Sequence, residues 1–167
     1  FRRPRQGEQL RLHGRLRLRN GEPEIVCSSF CPQDATPAIA WAKVRARMML
    51  HWIDHAAIRP LLIGVFRDPD IGPAFTERPA SVAHHHAYPG GLLVHSTEVA
   101  WRLFCESLPD EDKALLVAAG LLHDLGKIRC YDADGQRTAL GRRVDHEALT
   151  LELLSPHLRA LDAHWPE

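Results

Sequence analysis

The sequence predicts a mainly α fold, a helical bundle preceded by a β-hairpin, and three observations carry that prediction. Apolar and basic residues alternate with a period of two between residues 10 and 30, which is a strand signature. From residue 36 onward the apolar spacing is helical and stays so. A length of 167 residues with 45% hydrophobic content suffices for a packed core without disulfide staples.

The hairpin comes first. Leu10, Leu12, Leu16 and Leu18 alternate with Arg11, His13, Arg15, Arg17 and Arg19, the Asn20-Gly21 pair supplies a turn, and a return strand runs through Ile25 and Cys27. One face is apolar and the other cationic. That cationic face is either a solvated outer surface or a groove tracking a phosphate backbone, with Arg11, Arg15, Arg17 and Arg19 as nucleic-acid-binding candidates. It carries no aromatic for base stacking, and Phe30 is the nearest platform. A lone hairpin is marginal in water, so the two strands are expected to belong to a larger sheet whose other strands lie upstream. The opening at Phe1, without an element of its own, fits a piece of a longer chain.

The connector "CPQDATPAIAW" leads into the first helix, with Thr36 as its expected cap, Pro37 in its first turn, and Ile39, Val44, Met48 and Trp52 or Ile53 as its apolar side. Within it, "HWIDH" sets His51 and His55 one turn apart, but Trp52 stands where a zinc-protease pattern needs glutamate. A short helix over "IRPLLIGVF" and the turn-rich "RDPDIGPAFTERPA" follow. A helix over Gly91 to Leu108, with Pro89 near its first turn, is followed after "LPD" by one that Asp110 caps and that runs through "EDKALLVAAGLLHDLGK". The last expected helix begins in "GRRVDHEALTLELL". The parts are therefore 1–33 and 34–167.

Lysine plus arginine equals aspartate plus glutamate, 21 each, so whole-chain charge points to neither nucleic acid nor membrane and any basic surface is local. No apolar run has the roughly 20 residues of a membrane helix, and no charged n-region precedes an apolar h-region. Cys27, Cys31, Cys105 and Cys130 form no paired CxxC pattern and read as reduced thiols, with a zinc knuckle at Cys27 and Cys31 as the alternative. A cytoplasmic protein is expected.

Spacing concentrates the chemistry. His95 to Leu108 and Asp110 to His123 are each thirteen steps. At about 1.5 Å per residue, each arm of an antiparallel pair covers roughly 20 Å and returns His123 to the level of His95. Asp124 follows directly. A His, His, Asp set at one height suits manganese, iron, nickel or magnesium at a hydrolytic centre. Asp124 is the natural bridge to a second ion, with His146 in the first turn of the last helix as a further ligand. A charged aspartate after "AAGLLH" would be costly in an apolar interior unless paired or metal-bound. Lys127, one turn on, either contacts a substrate phosphate or is a helix-end charge facing water.

"HSTEVA", "LLHDLGK" and "DHE" resemble the HD-domain phosphohydrolases over roughly residues 80 to 160. The resemblance implies an HD-domain helical bundle in which His95, His123 and Asp124 hold one metal and His146 helps hold a second. "HHAYPGGLLVHS" is similar to the corresponding segment of the YhaM-type 3′-to-5′ exoribonucleases, which carry an OB-fold ahead of the HD domain. On that similarity the hairpin is the end of an OB-fold and the substrate is single-stranded RNA or DNA. "HHAYPGGLL" also resembles the HD-type relaxases of conjugative elements, which implies DNA processing. A small-nucleotide phosphohydrolase is a further alternative. HD domains usually add a late aspartate ligand. Asp162 comes too soon for that role, which is expected beyond Glu167.

Gly90 and Gly91, at a helix start, are expected to offer free amides to a phosphate beside His85 and His86, with Lys127 adding charge. The alternative for His84 to His86 is a solvent-exposed loop. Asp124 and Lys127 are the catalytic candidates.

Overall fold

The structure is a computed structural model that describes residues 10–20, 22–32, 35–82 and 86–163. Among these, strands β1 (Leu10–Arg19) and β2 (Glu22–Pro32) form an antiparallel two-stranded sheet. The register pairs Leu16 with Ile25 and Arg17 with Glu24, and slips by one residue between His13 and Gly14. Asn20, at φ 52°, makes the turn in the left-handed region that asparagine tolerates. Leu18 stands 73% exposed, so the apolar face expected from the alternation is not covered there.

The remainder is helical: α1 (Thr36–Trp52), α2 (Ile58–Arg67), α3 (Gly72–Glu77), α4 (Gly91–Phe104), α5 (Asp110–Leu122), α6 (Lys127–Cys130) and α7 (His146–Asp162). Met49, Ile53, Leu62, Val65, Leu92, Val117, Leu121 and Leu125 form the centre of a common core. Helix α1 packs on it through part of the expected face. Ala42, Met49 and Ile53 are buried, with Ile39 and Trp52 partly so, whereas Val44 is 42% and Met48 52% exposed. The helix carries apolar side chains round much of its circumference, and contact with α4 decides which of them turn inward.

Two helix starts differ by one position from expectation. Thr36 and Asp110 are the first helical residues, and Ala35 and Pro109 occupy the cap positions. Asp110, Glu111 and Asp112 instead complement the positive end of α5 from its first turn. Helix α3 lies inside the segment expected to be all turns. Asp68 Oδ1 accepts from the amides of Asp70 and Ile71, and Phe75 buries its ring against Phe66 at 4.9 Å.

The pairing of α4 with α5 positions the site. A Cβ at Gly120 would lie 2.9 Å from Ala100 Cα, so glycine permits a close approach of the two backbones. Helix α4 stops at Phe104 rather than Leu108, and Trp52 meets Phe104 edge-on at 5.0 Å at that end.

Candidate metal centre

Helix α5 ends one residue before the adjacent histidine and aspartate, not after Lys127 as expected. Residues 123–126 turn with i to i+3 bonding instead: Leu125 N–H donates to Leu122 O at 3.0 Å and Lys127 N–H to Asp124 O at 3.0 Å. The reason is α7, which crosses at Gly126. A Cβ there would lie 2.0 Å from His146 O and 2.7 Å from Thr150 N. Gly126 N–H donates to the buried Thr150 Oγ1 at 2.8 Å, which pins the start of α7 to the turn. Sequence reasoning misses Thr150. Its signal is a position one turn after His146, on the same helix face.

This arrangement gathers the four expected ligands round one carboxylate. Asp124 is 3% exposed. Its Oδ2 lies 3.1 Å from His95 Nε2 and 3.3 Å from His123 Nε2, and the two imidazole nitrogens are 3.3 Å apart. Its Oδ1 faces the other way, 3.0 Å from His146 Nε2. His95 and His123 therefore do stand level, although helix α4 ends at Phe104, short of the expected arm. Glu147 Oε2, 3.2 Å from His146 Nδ1, orients that ring from outside.

The donor chemistry fits a divalent cation. Gly120 O can only accept, so His123 Nδ1, at 2.9 Å, is its donor, and Nε2 is left as the nitrogen directed at Asp124. Two nitrogens and a carboxylate oxygen, mutually within 4.8 Å, form the group among the described residues with metal-ligand character. The set has no sulfur, which separates it from a structural zinc site and suits a hydrolytic metal. Burial pushes the Asp124 carboxyl upward, but hydrogen bonds from His123, His95 and Lys127 outweigh it and hold the group well below the usual carboxylate range. His123 is raised from its ordinary value, chiefly by its hydrogen bond to Asp124 and against the effect of burial.

Lys127 Nζ donates to Asp124 Oδ2 at 2.7 Å, so its ammonium faces the carboxylate rather than water. The phosphate cradle expected at the start of α4 is corrected. Gly90 N–H donates to Glu77 O at 2.9 Å, Gly91 N–H to Tyr88 O at 2.8 Å and Leu92 N–H to Arg78 O at 3.0 Å, so these amides are not free. The two glycines serve packing. Gly90, at φ 81°, sits against Ile39, and a Cβ at Gly91 would lie 1.9 Å from His86 O.

His86 does reach the centre. Its ring lies 5.6 Å from that of His95, its Nδ1 is 3.1 Å from Tyr88 Oη and its Nε2 3.3 Å from Glu98 Oε2. His84 and His85 lie outside the described residues. His55 Nδ1 accepts from the amides of Ala57 and Ile58 at the start of α2, which accounts for it without a metal. In the hairpin Arg15, Arg17 and Arg19 are exposed, Arg17 Nε donates to Glu24 Oε2 at 2.9 Å, and the side chain of Arg11 lies outside the description. Cys105 and Cys130 are free thiols, and those of Cys27 and Cys31 fall outside the described side chains. No described helix is long and apolar enough to cross a membrane.

Comparison with known proteins agrees with this geometry. The HD domain family model matches residues 92–165, and a family described as "Putative helicase" matches residues 75–108. A 58-residue stretch, 34% of the chain, is 41% identical to the 3′-5′ exoribonuclease YhaM of Shouchella clausii (strain KSM-K16), and spans 18% of that protein's length. No solved structure matches the chain. The HD domain model thus covers the segment that carries His95, His123, Asp124 and His146, and the match supports a metal-dependent phosphohydrolase.

Proposed function

We propose that this chain hydrolyses phosphodiester bonds of single-stranded nucleic acid and shortens RNA from its 3′ end. The observation that carries the reading is the divided carboxylate, with Asp124 Oδ2 directed at His95 and His123 and Oδ1 at His146. The name of the relative from Shouchella clausii supports the substrate and polarity. A divalent metal held by these residues lowers the pKa of bound water and offsets charge on the phosphate.

The chain's own groups then have distinct tasks. His95, His123 and Asp124 would hold a first ion, and His146 with Asp124 would hold a second. Gly120 O fixes the His123 ring through Nδ1, and Glu147 does the same for His146. Lys127, held at Asp124 Oδ2 at 2.7 Å, would offer its ammonium to a phosphate oxygen of the substrate. The basic hairpin, as the end of an OB-fold in residues 1–33, leads the strand toward the helical part in 34–167. A relaxase-like DNA-processing role is the second reading, favoured by the match of residues 75–108 to the family described as "Putative helicase".

The test is a time course of the full chain with manganese on 5′-labelled single-stranded RNA and DNA, resolved on a gel. A ladder shortening from the 3′ end, abolished in Asp124→Ala, is expected. Intact oligonucleotides with metal still bound would reject the exonuclease reading, and cutting at one preferred DNA position would select the second one.

A further inference from the structure

The metal centre accounts for the phosphate and leaves the rest of a nucleotide without a seat. A cavity of about 360 Å³, within the range of small-ligand sites, is lined by Tyr88, whose hydroxyl contacts the His86 ring next to His95. One wall comes from the segment ahead of α4, with Pro79, Val82, Tyr88 and Pro89, and the other from the turn that carries Asp134 and Gln136. The second wall is braced. Asp132 Oδ1 accepts from the amides of Asp134 at 3.0 Å and Gln136 at 2.8 Å, and Gly135, at φ 75°, brings the turn against Pro79.

A single imidazole separates this cavity from the metal ligands. Tyr88 Oη meets His86 Nδ1 at 3.1 Å, and the rings of His86 and His95 are 5.6 Å apart. Part of the Tyr88 ring packs on the helical core, and the residue also lines the cavity. The lining therefore combines flat apolar surfaces with a carboxylate and a carboxamide. That is the complement of a nucleobase, which has a π-face to stack and an edge of donors and acceptors.

We propose that this cavity seats the base of the nucleotide whose phosphate lies at the metal centre, with Tyr88 as the stacking platform and Asp134 and Gln136 at the hydrogen-bonding edge. The assignment rests on the nucleic-acid reading of the centre. It gives the aromatic platform that the arginine face of the hairpin lacks. It also makes the terminal base, and not only the backbone, a determinant of affinity.

The experiment uses the full chain without added metal and an RNA oligonucleotide ending in 3′ 2-aminopurine, whose fluorescence falls on stacking. Quenching is expected with the unmodified protein, to be retained in Tyr88→Phe and lost in Tyr88→Ala. Affinity should fall roughly 5- to 150-fold in Tyr88→Ala, the range alanine substitution gives for one stacked base. An oligonucleotide with an abasic 3′ residue should lose the same factor on the unmodified protein, and the two changes together should cost no more than either alone. Undiminished quenching in Tyr88→Ala, or losses that simply multiply, would overturn the assignment. Equal damage from Tyr88→Phe and Tyr88→Ala would also overturn it, because the hydroxyl would then be acting through His86. RNA that is bound and quenched without metal, but stays intact once manganese is added, rejects the exonuclease reading and keeps the base site. RNA that is hydrolysed without quenching does the reverse.

Discussion

Asp124 holds its negative charge in a nearly closed site because His95, His123, His146 and Lys127 surround it, and that has a consequence for pH. His123 is raised because its proton is shared with Asp124. The stability this supplies is fully present below the ordinary histidine value of 6.5 and is lost as pH rises through the raised folded value. Asp124 is lowered, so its own contribution is lost only in strong acid and does not change near neutrality. In a chelator, Tm should therefore fall as pH rises above the ordinary histidine value of 6.5. Manganese binds the deprotonated imidazole, so the gain in Tm it produces should grow over the same rise in pH. Thermal melts with and without the metal check this, and an unchanged pH profile in His123→Gln would show that the proton lies elsewhere. At this scale the sequence was informative for the ligands, because an adjacent His-Asp pair after an apolar helix has few other uses. It misled at Gly90 and Gly91. A glycine pair at a helix start reads equally as an anion cradle or as a close backbone approach, and only the carbonyls of Glu77 and Tyr88 decide.

Among the elements, the crossing of α7 over the His123–Gly126 turn gives the centre its shape. Glycine at 126 is required by the neighbouring backbone, since a methyl group there would meet His146 O and Thr150 N at distances no real Cβ shows. Gly126→Ala should cost about 1–3 kcal/mol, the usual range for overpacking. It should also weaken manganese binding, because α7 can give way only by carrying His146 from Asp124. Urea unfolding in chelator and a manganese titration measure the two effects separately. A stability loss with unchanged manganese affinity would mean that α7 moves without taking His146 along. The long amphipathic elements α4, α5 and α7 were legible from apolar period and breakers. The turn after Leu122 was not, because "HDLGK" continues a helical pattern and the interruption comes from a contact with Thr150, 24 residues further on. Helix α3 was hidden among prolines and glycines for the same reason. Its stability comes from Phe75 against the core, not from its own propensity.

On the scale of the whole molecule, zero net charge means that attraction to a polyanion has to come from an uneven distribution. The hairpin supplies one. Arg15, Arg17 and Arg19 are exposed on β1, and among the described side chains Glu24, 2.9 Å from Arg17 and 3.8 Å from Arg19, offsets one of the three charges. Sequence alone left this face open between a solvated surface and a nucleic-acid groove, and alternation cannot distinguish them, because both place arginine outward. Salt dependence can. Each phosphate of a single strand that a cationic side chain neutralises adds about 0.7 to the slope of log affinity against log salt, so Arg15→Ala with Arg17→Ala should flatten it by about 1.4. Fluorescence anisotropy of a labelled oligonucleotide across a potassium chloride series measures that slope. Both positions are exposed strand sites, so the substitution should leave Tm nearly unchanged. A smaller slope at constant Tm would place the backbone on the hairpin. An unchanged slope would make the arginine face a solvated surface and leave phosphate binding to the helical part of the chain.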